Sequence, residues 1–189
     1  MGREFELKYA ATPATLEVIR ADGENWTRIS METAYFDTPE GDLAKKKCTL
    51  RQRMENGISV CTLKTPADGF GRGEWDKKEV WSEETVKALF AAAGLENIPF
   101  EKLQKVCGAR FTRLAKKVEL SACSLEIALD EGVLSGGGRE IPLCEVEVEC
   151  KSGDENIVVS WAQSLAEEYG LQPERFSKFY RASRLAKGE

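Results

Sequence analysis

Hydrophobic and polar residues alternate with a period of two in eight stretches of the chain. This alternation is typical of β-strands, because successive side chains of a strand point to opposite faces. The Asn56-Gly57 pair separates two of the stretches and indicates a tight hairpin. The pattern therefore predicts eight strands, at Glu4–Tyr9, Arg28–Phe36, Thr49–Met54, Ile58–Lys64, Gly73–Val80, Arg110–Leu120, Ser124–Leu134 and Leu143–Cys150.

Helical periodicity is confined to fewer stretches. One helix is predicted from the Thr12-Pro13 start to about Asp22, since Thr is a favourable N-cap and Pro is tolerated in the first turn. A second is predicted between the N-cap Ser82 and Gly94, and a third over 153–170. Two shorter helices are predicted, at Phe100–Val106 and Phe179–Lys187.

The number of strands predicts the architecture. Open sheet edges favour aggregation, and closing eight strands into a ring removes them. No repeat or low-complexity linker divides the 189 residues, so we expect a single domain over 1–189. The predicted fold is α+β and mainly β, an eight-stranded antiparallel closed barrel with flanking helices.

Composition narrows the possible chemistry. The chain has no His, which excludes Ser-His and Cys-His nucleophiles, and together with the lack of C-x-x-C spacing this argues against a zinc site of the usual Cys/His kind. Its six cysteines lack C-x-x-C spacing and are predicted to be buried free thiols. The net charge of -5 argues against a nucleic-acid partner, and no apolar run approaches the roughly 18 residues of a membrane span. We expect a cytoplasmic protein with no membrane partner; the assembly state is left open, with a homodimer as one alternative.

Charged residues share one face of several predicted strands. Glu4, Glu6 and Lys8 lie on one face of the first strand, and Arg51 and Arg53 on one face of the third. The last strand carries three glutamates at alternate positions in "CEVEVEC". A solvated strand face is the ordinary explanation for any one of these patterns.

The set as a whole favours a binding site. Like charges at alternate positions of a strand lie about 7 Å apart and repel unless they are neutralised. Carboxylates in this arrangement suit Mg²⁺ or Mn²⁺, and guanidinium groups suit phosphate oxygens. Acidic and basic strands facing one lumen would form a metal–polyphosphate site, with the apolar faces turned outward under helices.

These residues resemble the hallmark of the CYTH superfamily, the triphosphate tunnel metalloenzymes. The E-x-E-x-K run of Glu4, Glu6 and Lys8 is the N-terminal signature, and the resemblance extends over nearly the whole chain. It continues through "YFDTP", which we interpret as mostly structural, and through "LRQR", "TLK", "RGEWD", "LDEG", "CEVEVE" and "PERFSKFYR". The resemblance implies an antiparallel tunnel that hydrolyses a triphosphate with a divalent metal.

The resemblance also assigns roles to residues of this chain. The metal-binding residues would be Glu4, Glu6, Asp130, Glu145, Glu147 and Glu149. The phosphate-binding residues would be Lys8, Arg51, Arg53, Lys64, Arg72, Arg113, Lys178 and Arg181. The residues expected to carry catalysis are Glu4, Glu6, Lys8, Arg51, Arg53 and Glu147.

Several functions remain compatible with this site. The leading prediction is hydrolysis of inorganic triphosphate or of a small organic triphosphate. The alternatives are a class IV-type adenylate cyclase, a thiamine triphosphatase and a polyphosphate- or nucleotide-binding module without turnover. A thiamine triphosphatase would need an aromatic platform, whereas Trp161 is expected to pack in the core and Trp75 and Trp81 against the wall.

Overall fold

The computed structural model describes residues 2–3, 5–66, 73–95 and 98–189, with side chains described from Phe5 onward. Two predicted site residues, Glu4 and Arg72, lie outside the described residues. The described strands are β1 (Gly2–Arg3), β2 (Phe5–Ala10), β3 (Thr27–Asp37), β4 (Thr49–Glu55), β5 (Ile58–Thr65), β6 (Gly73–Lys77), β7 (Gln104–Glu119), β8 (Cys123–Gly136), β9 (Arg139–Gly153) and β10 (Gln172–Pro173). The described α-helices are α1 (Pro13–Ala21), α2 (Asp42–Lys45), α3 (Glu83–Ala92), α4 (Glu155–Tyr169) and α5 (Lys178–Lys187).

The strands form one antiparallel sheet in the order β1-β6-β5-β4-β3-β7-β8-β9-β2-β10. All eight predicted strands are present, as β2 to β9, and helices flank the sheet, so the mainly β, α+β class is confirmed. The Asn56-Gly57 hairpin joins β4 to β5 with a positive φ at both turn residues, as a type I′ turn requires. The assignment of 1–189 to one domain stays a prediction.

The predicted closed eight-stranded barrel is wrong, because the hydrogen-bonded order is linear and ends at β1 and β10. The N-terminal segment is divided between the two ends of this order. Gly2 and Arg3 pair with β6, whereas β2 pairs with β9. Strand β10 pairs with β2 at Tyr9 and Ala10, and among the described residues no ladder joins β2 to β6. Since Arg3 and Phe5 are two residues apart, the sheet must curl until its two ends are close together.

Helices cover the convex face of the curled sheet, as the sequence predicts. Alternate apolar side chains such as Leu7 and Val148 form a cluster with α1 and α4. A second cluster places Leu50 and Leu63 under α2 and α3. Side chains at the intervening strand positions therefore face the concave side.

Helix α5 packs on the concave face, unlike the other helices. Ala182 and Phe179 contact a cluster that includes Met31 and Phe111. The close approach requires glycine at the end of β8, since a Cβ on Gly136 would lie 2.4 Å from the carbonyl oxygen of Ala182. Helix α5 thus fills part of the concavity and brings its first residue, Lys178, toward the charged strand positions.

Two local predictions differ from the structure. The helix predicted over Phe100–Val106 is wrong beyond a 3-10 turn at Phe100–Lys102. The reason is that β7 begins at Gln104, which pairs with Asp37 at the end of β3. The short helix α2 was not predicted; it depends on the buried Asp37, whose carboxylate accepts hydrogen bonds from the backbone N–H of Leu43 (2.9 Å) and Ala44 (3.0 Å). This arrangement agrees with a structural role for "YFDTP".

Among the residues that the structure describes, no helix combines the length and apolar character that crossing a membrane requires.

Candidate functional site

The concave face encloses a central pocket of about 660 Å³. Strands β2, β4, β5, β7 and β9, together with the start of α5, all contribute predicted site residues to its lining. These residues are Glu6, Lys8, Arg51, Arg53, Lys64, Arg113, Glu147, Glu149 and Lys178. Three further predicted residues, Asp130, Glu145 and Arg181, lie outside this lining. Asp130 and Glu145 form ion pairs with Lys178 of the lining, and Arg181 forms one with Glu145.

The acidic wall is built by the register of β2, β9 and β8. Lys8 lies opposite Glu147, and Glu6 lies opposite Glu149, in the pairing of β2 with β9. The Lys8 ammonium is 3.2 Å from Glu6 and 3.5 Å from Glu147. The alternation that the sequence shows on each strand therefore becomes one continuous charged surface across neighbouring strands.

A buried ion-pair cluster lies at the inner end of this wall. Asp130 has no exposed surface, and Arg113 donates to both of its oxygens, at 2.8 Å from Nε and 2.7 Å from Nη2. Arg113 also donates to Glu147. The Lys178 ammonium lies 2.7 Å from oxygens of both Asp130 and Glu147.

Glu145 completes the cluster. It is fully buried, accepts hydrogen bonds from Lys178 and Arg181, and lies opposite Asp130 in the pairing of β9 with β8. One oxygen each from Asp130, Glu145 and Glu147 lies within 4.8 Å of the others, a spacing that suits a cation. The Lys178 ammonium already contacts all three carboxylates.

The cluster shifts the titration of its members. Burial raises the pKa of Glu147, but the nearby Lys178, Arg113 and Lys8 outweigh it and hold the pKa well below its usual value. Burial lowers the pKa of Lys178, but Glu147, Asp130 and Glu145 outweigh it and raise the pKa. These groups therefore stay charged at neutral pH.

The basic wall faces the pocket from β4 and β5. Arg53 is 8% exposed, and its Nε donates to a neutral acceptor, the Thr33 hydroxyl, at 3.2 Å. Burial and the neighbouring Arg51 lower the pKa of Arg53 to about 10. Among the described residues, the buried Nε of Arg51 has no hydrogen-bond partner. Arg51 lies 3.6 Å from Glu74 and Arg53 lies 3.9 Å from Glu55, so the acidic neighbours of this wall are more distant than those of Lys178.

Sequence reasoning assigned no role to six other charged residues that line the pocket. They are Glu55, Glu74, Asp76, Lys78, Glu126 and Lys151. Lys151 continues the alternation of Glu145, Glu147 and Glu149, and Lys78 continues that of Glu74 and Asp76. Extending each alternation by one step would have found both lysines.

The tryptophans lie outside the described lining of the pocket. Trp26 and Trp161 pack with the α1 and α4 cluster, and Trp75 and Trp81 with the α2 and α3 cluster. The packing expected of Trp161, Trp75 and Trp81 is therefore confirmed. The aromatic residues that do line the pocket are Tyr35 and Phe179, whose ring centroids are 5.1 Å apart.

Sequence comparison finds a family and a relative. The profile of the CYTH domain matches residues 2–183. An inorganic triphosphatase of Haemophilus influenzae is 28% identical over 178 residues, which cover 87% of this chain and 50% of that protein. The chain therefore spans about half the length of this curated relative.

Structural comparison finds similar folds. A candidate adenylate cyclase from Bacillus halodurans matches with a TM-score of 0.65 and 21% identity, covering 94% of this chain and 96% of that one. The PH1819 protein of Pyrococcus horikoshii matches with a TM-score of 0.65 and 24% identity, covering 98% and 99%. A candidate adenylyl cyclase from Hippeastrum with a dominant triphosphatase activity matches with a TM-score of 0.64 and 17% identity, covering 99% and 96%. At these identities the likeness concerns the fold.

Proposed function

Because the chain belongs to the CYTH domain family, we propose that it binds a triphosphate in the central pocket and hydrolyses it with Mg²⁺ or Mn²⁺. The observation that carries the proposal is the pair Arg51 and Arg53, which face an acidic wall across one cavity. A triphosphate with bound metal matches such a pocket, because its oxygens accept from arginine while the metal takes carboxylate ligands.

The basic wall is suited to the phosphate chain. Arg53 is buried with a neutral hydrogen-bond acceptor, and Arg51 retains an unpaired Nε among the described atoms. Phosphate oxygens would supply the missing acceptors, since guanidinium groups bind them in a bidentate manner. Lys8 and Lys64 line the same pocket and would add ammonium contacts.

The metal fits the outer carboxylates better than the buried ones. Asp130 and Glu145 already contact Arg113, Lys178 and Arg181, which a divalent ion would have to displace. Glu6 and Glu149 are about a quarter exposed and face the pocket. Glu147 contacts Arg113 and Lys178 in the same way. We therefore assign the metal to Glu6 and Glu149, with Glu4 two residues before Glu6 in sequence, and assign Asp130, Glu145 and Glu147 to holding the cationic side chains in place.

Catalysis in this pocket would be positioning and electrostatics. A divalent ion, when bound, neutralises phosphate oxygens and makes a bound water more acidic. Arg51, Arg53 and Lys8 would hold the phosphate chain and offset the charge that develops on the leaving group. This scheme uses no histidine and no covalent nucleophile, in agreement with a chain that has no His.

Inorganic triphosphate is the first substrate to test, because the Haemophilus influenzae relative carries that activity. Phosphate release would be measured from inorganic triphosphate, ATP and thiamine triphosphate, with Mg²⁺, with Mn²⁺ and with a chelator. Release that disappears with the chelator supports the proposal. A cyclic product from ATP would instead indicate an adenylate cyclase, and tight binding without turnover would indicate a binding module.

One variant links the activity to the pocket. Arg51→Ala should lose about 2–4 kcal/mol of transition-state stabilisation if Arg51 contacts the transferred group. The matched control is Arg110→Ala, since Arg110 is also a strand arginine but its side chain is 72% exposed. An unchanged rate in Arg51→Ala would contradict the proposed site.

A further inference from the structure

Lys151 and Glu126 stand beside the outer carboxylates, and the hydrolytic scheme gives them no role. Lys151 follows Glu149 by two residues on β9, and its ammonium lies 2.7 Å from a Glu149 oxygen. The same ammonium is 3.6 Å from a carboxylate oxygen of Glu126 on β8. All three side chains line the central pocket.

The strand register explains why a lysine is placed here. Glu149 pairs with Glu6 on β2 and with Glu126 on β8, so three glutamates form one row across three neighbouring strands. Like charges directly opposite one another are destabilising. Lys8 is near Glu6 at one end of the row, and Lys151 lies between Glu149 and Glu126 at the other.

We propose that Lys151 and Glu126 set the affinity of the pocket for the divalent ion, acting as positioning residues for Glu149. Before the ion binds, the Lys151 ammonium holds the Glu149 carboxylate and competes with the ion for it. When the ion takes Glu149, the ammonium moves to Glu126, less than 1 Å beyond ordinary hydrogen-bond distance. Lysine suits this exchange, because its charge is compact and its stem is flexible.

This inference rests on the proposed function, since it requires a divalent ion at Glu149. The proposed role of Glu126 differs from a general electrostatic effect in one respect. Glu126 acts through Lys151, so removing the Glu126 charge changes the affinity for the ion only while the lysine is present. A general electrostatic effect of Glu126 would persist in the absence of the lysine.

The test is a titration of the full chain with Mn²⁺ alone. Binding is monitored by calorimetry and by the electron paramagnetic resonance signal of free Mn²⁺. Lys151→Met should tighten Mn²⁺ binding about two- to fivefold, the range of a partly exposed ion pair. Glu126→Gln should weaken it by a similar factor, because the ammonium then stays on Glu149. In the Lys151→Met background, Glu126→Gln should have no effect.

Lys117→Met is the matched control. Lys117 is exposed and lies opposite Glu126 in the β7–β8 pairing, so it changes the charge near Glu126 by the same amount. A similar gain in Lys117→Met, an unchanged affinity in Lys151→Met, or an equal effect of Glu126→Gln in both backgrounds would overturn the inference while leaving the proposed function intact. A wild-type chain that binds no Mn²⁺ would overturn both.

Discussion

Arg113 and Asp130 form a bidentate ion pair. Nε and Nη2 of the arginine lie 2.8 Å and 2.7 Å from the two carboxylate oxygens. The aspartate has no exposed surface, and Lys178 contacts it at 2.7 Å. Removing one partner of a buried pair leaves an uncompensated charge in a region of low dielectric, which is costly. We therefore expect Asp130 to contribute mainly to the stability of the fold.

Asp130→Asn should lower the free energy of unfolding by about 3–5 kcal/mol. Urea denaturation at pH 7 would measure the change. The control is Glu83→Gln, which removes an exposed pair with Lys87 on one turn of α3 and should cost about 0.5 kcal/mol or less. Similar losses in the two variants would contradict a buried, mutually dependent cluster.

Arg53→Met should stabilise the protein in the absence of phosphate. A pKa lowered from 12.5 to about 10 means that the folded state disfavours the charged side chain by roughly 3 kcal/mol. We expect the free energy of unfolding to rise by about 1–3 kcal/mol, measured by urea denaturation in a buffer without polyvalent anions. Arg110→Met should leave stability nearly unchanged, because that side chain is largely exposed. Destabilisation by Arg53→Met would show that the contacts of Arg53 with Thr33 and Glu55 outweigh the cost of burying its charge.

Glu147 should make the free energy of unfolding fall with decreasing pH in the acidic range. Its pKa in the folded protein lies well below the usual value of 4.5, so the folded state binds fewer protons than the unfolded state in that interval. The stabilisation is therefore complete above about pH 4.5 and is lost as the pH falls through the folded pKa. Urea denaturation of the wild type and Glu147→Gln should show a difference that narrows below pH 4.5. A difference that stays constant with pH would refute this role.

Gly136→Ala should displace α5. The added Cβ would lie 2.4 Å from the Ala182 carbonyl oxygen and 2.8 Å from the Ala186 nitrogen. Overpacking of this kind costs about 1–3 kcal/mol, and amide hydrogen exchange in α5 should become faster. Gly138→Ala is the control: a Cβ there meets nothing within 4 Å, so the cost is only that of its positive φ, and α5 should keep its protection. Unchanged exchange in Gly136→Ala would contradict the close packing.

The strand faces could be predicted from sequence, because the side-chain period of a strand is local information. Glu6 and Lys8, and likewise Arg51 and Arg53, line the same pocket as their alternation predicts. The contacts of Lys178 with Asp130 and Glu145 could not be predicted in this way. They depend on which face of the sheet α5 packs against, and that is set by the close approach at Gly136.

The end of the sheet could not be predicted either. Among the described residues β6 pairs with Gly2 and Arg3 and not with β2, and β10 pairs with β2 at Tyr9 and Ala10. Strand β10 consists of two residues, one of them Pro173, which gives no period to recognise. The role of each carboxylate also depends on partners that are distant in sequence. Asp130 and Glu149 have the same charge, but Asp130 contacts Arg113 whereas Glu149 contacts Lys151.

The order of the elements along the chain has a consequence for biosynthesis. Lys178 follows β2 to β9 in sequence, so a ribosome releases Asp130, Glu145 and Glu147 before the lysine that contacts all three. Until α5 emerges, those carboxylates lack one of their main cationic partners, so burying them away from water is costly. We therefore expect a nascent chain stalled before α5 to keep these carboxylates hydrated, a state that quality-control proteases can recognise.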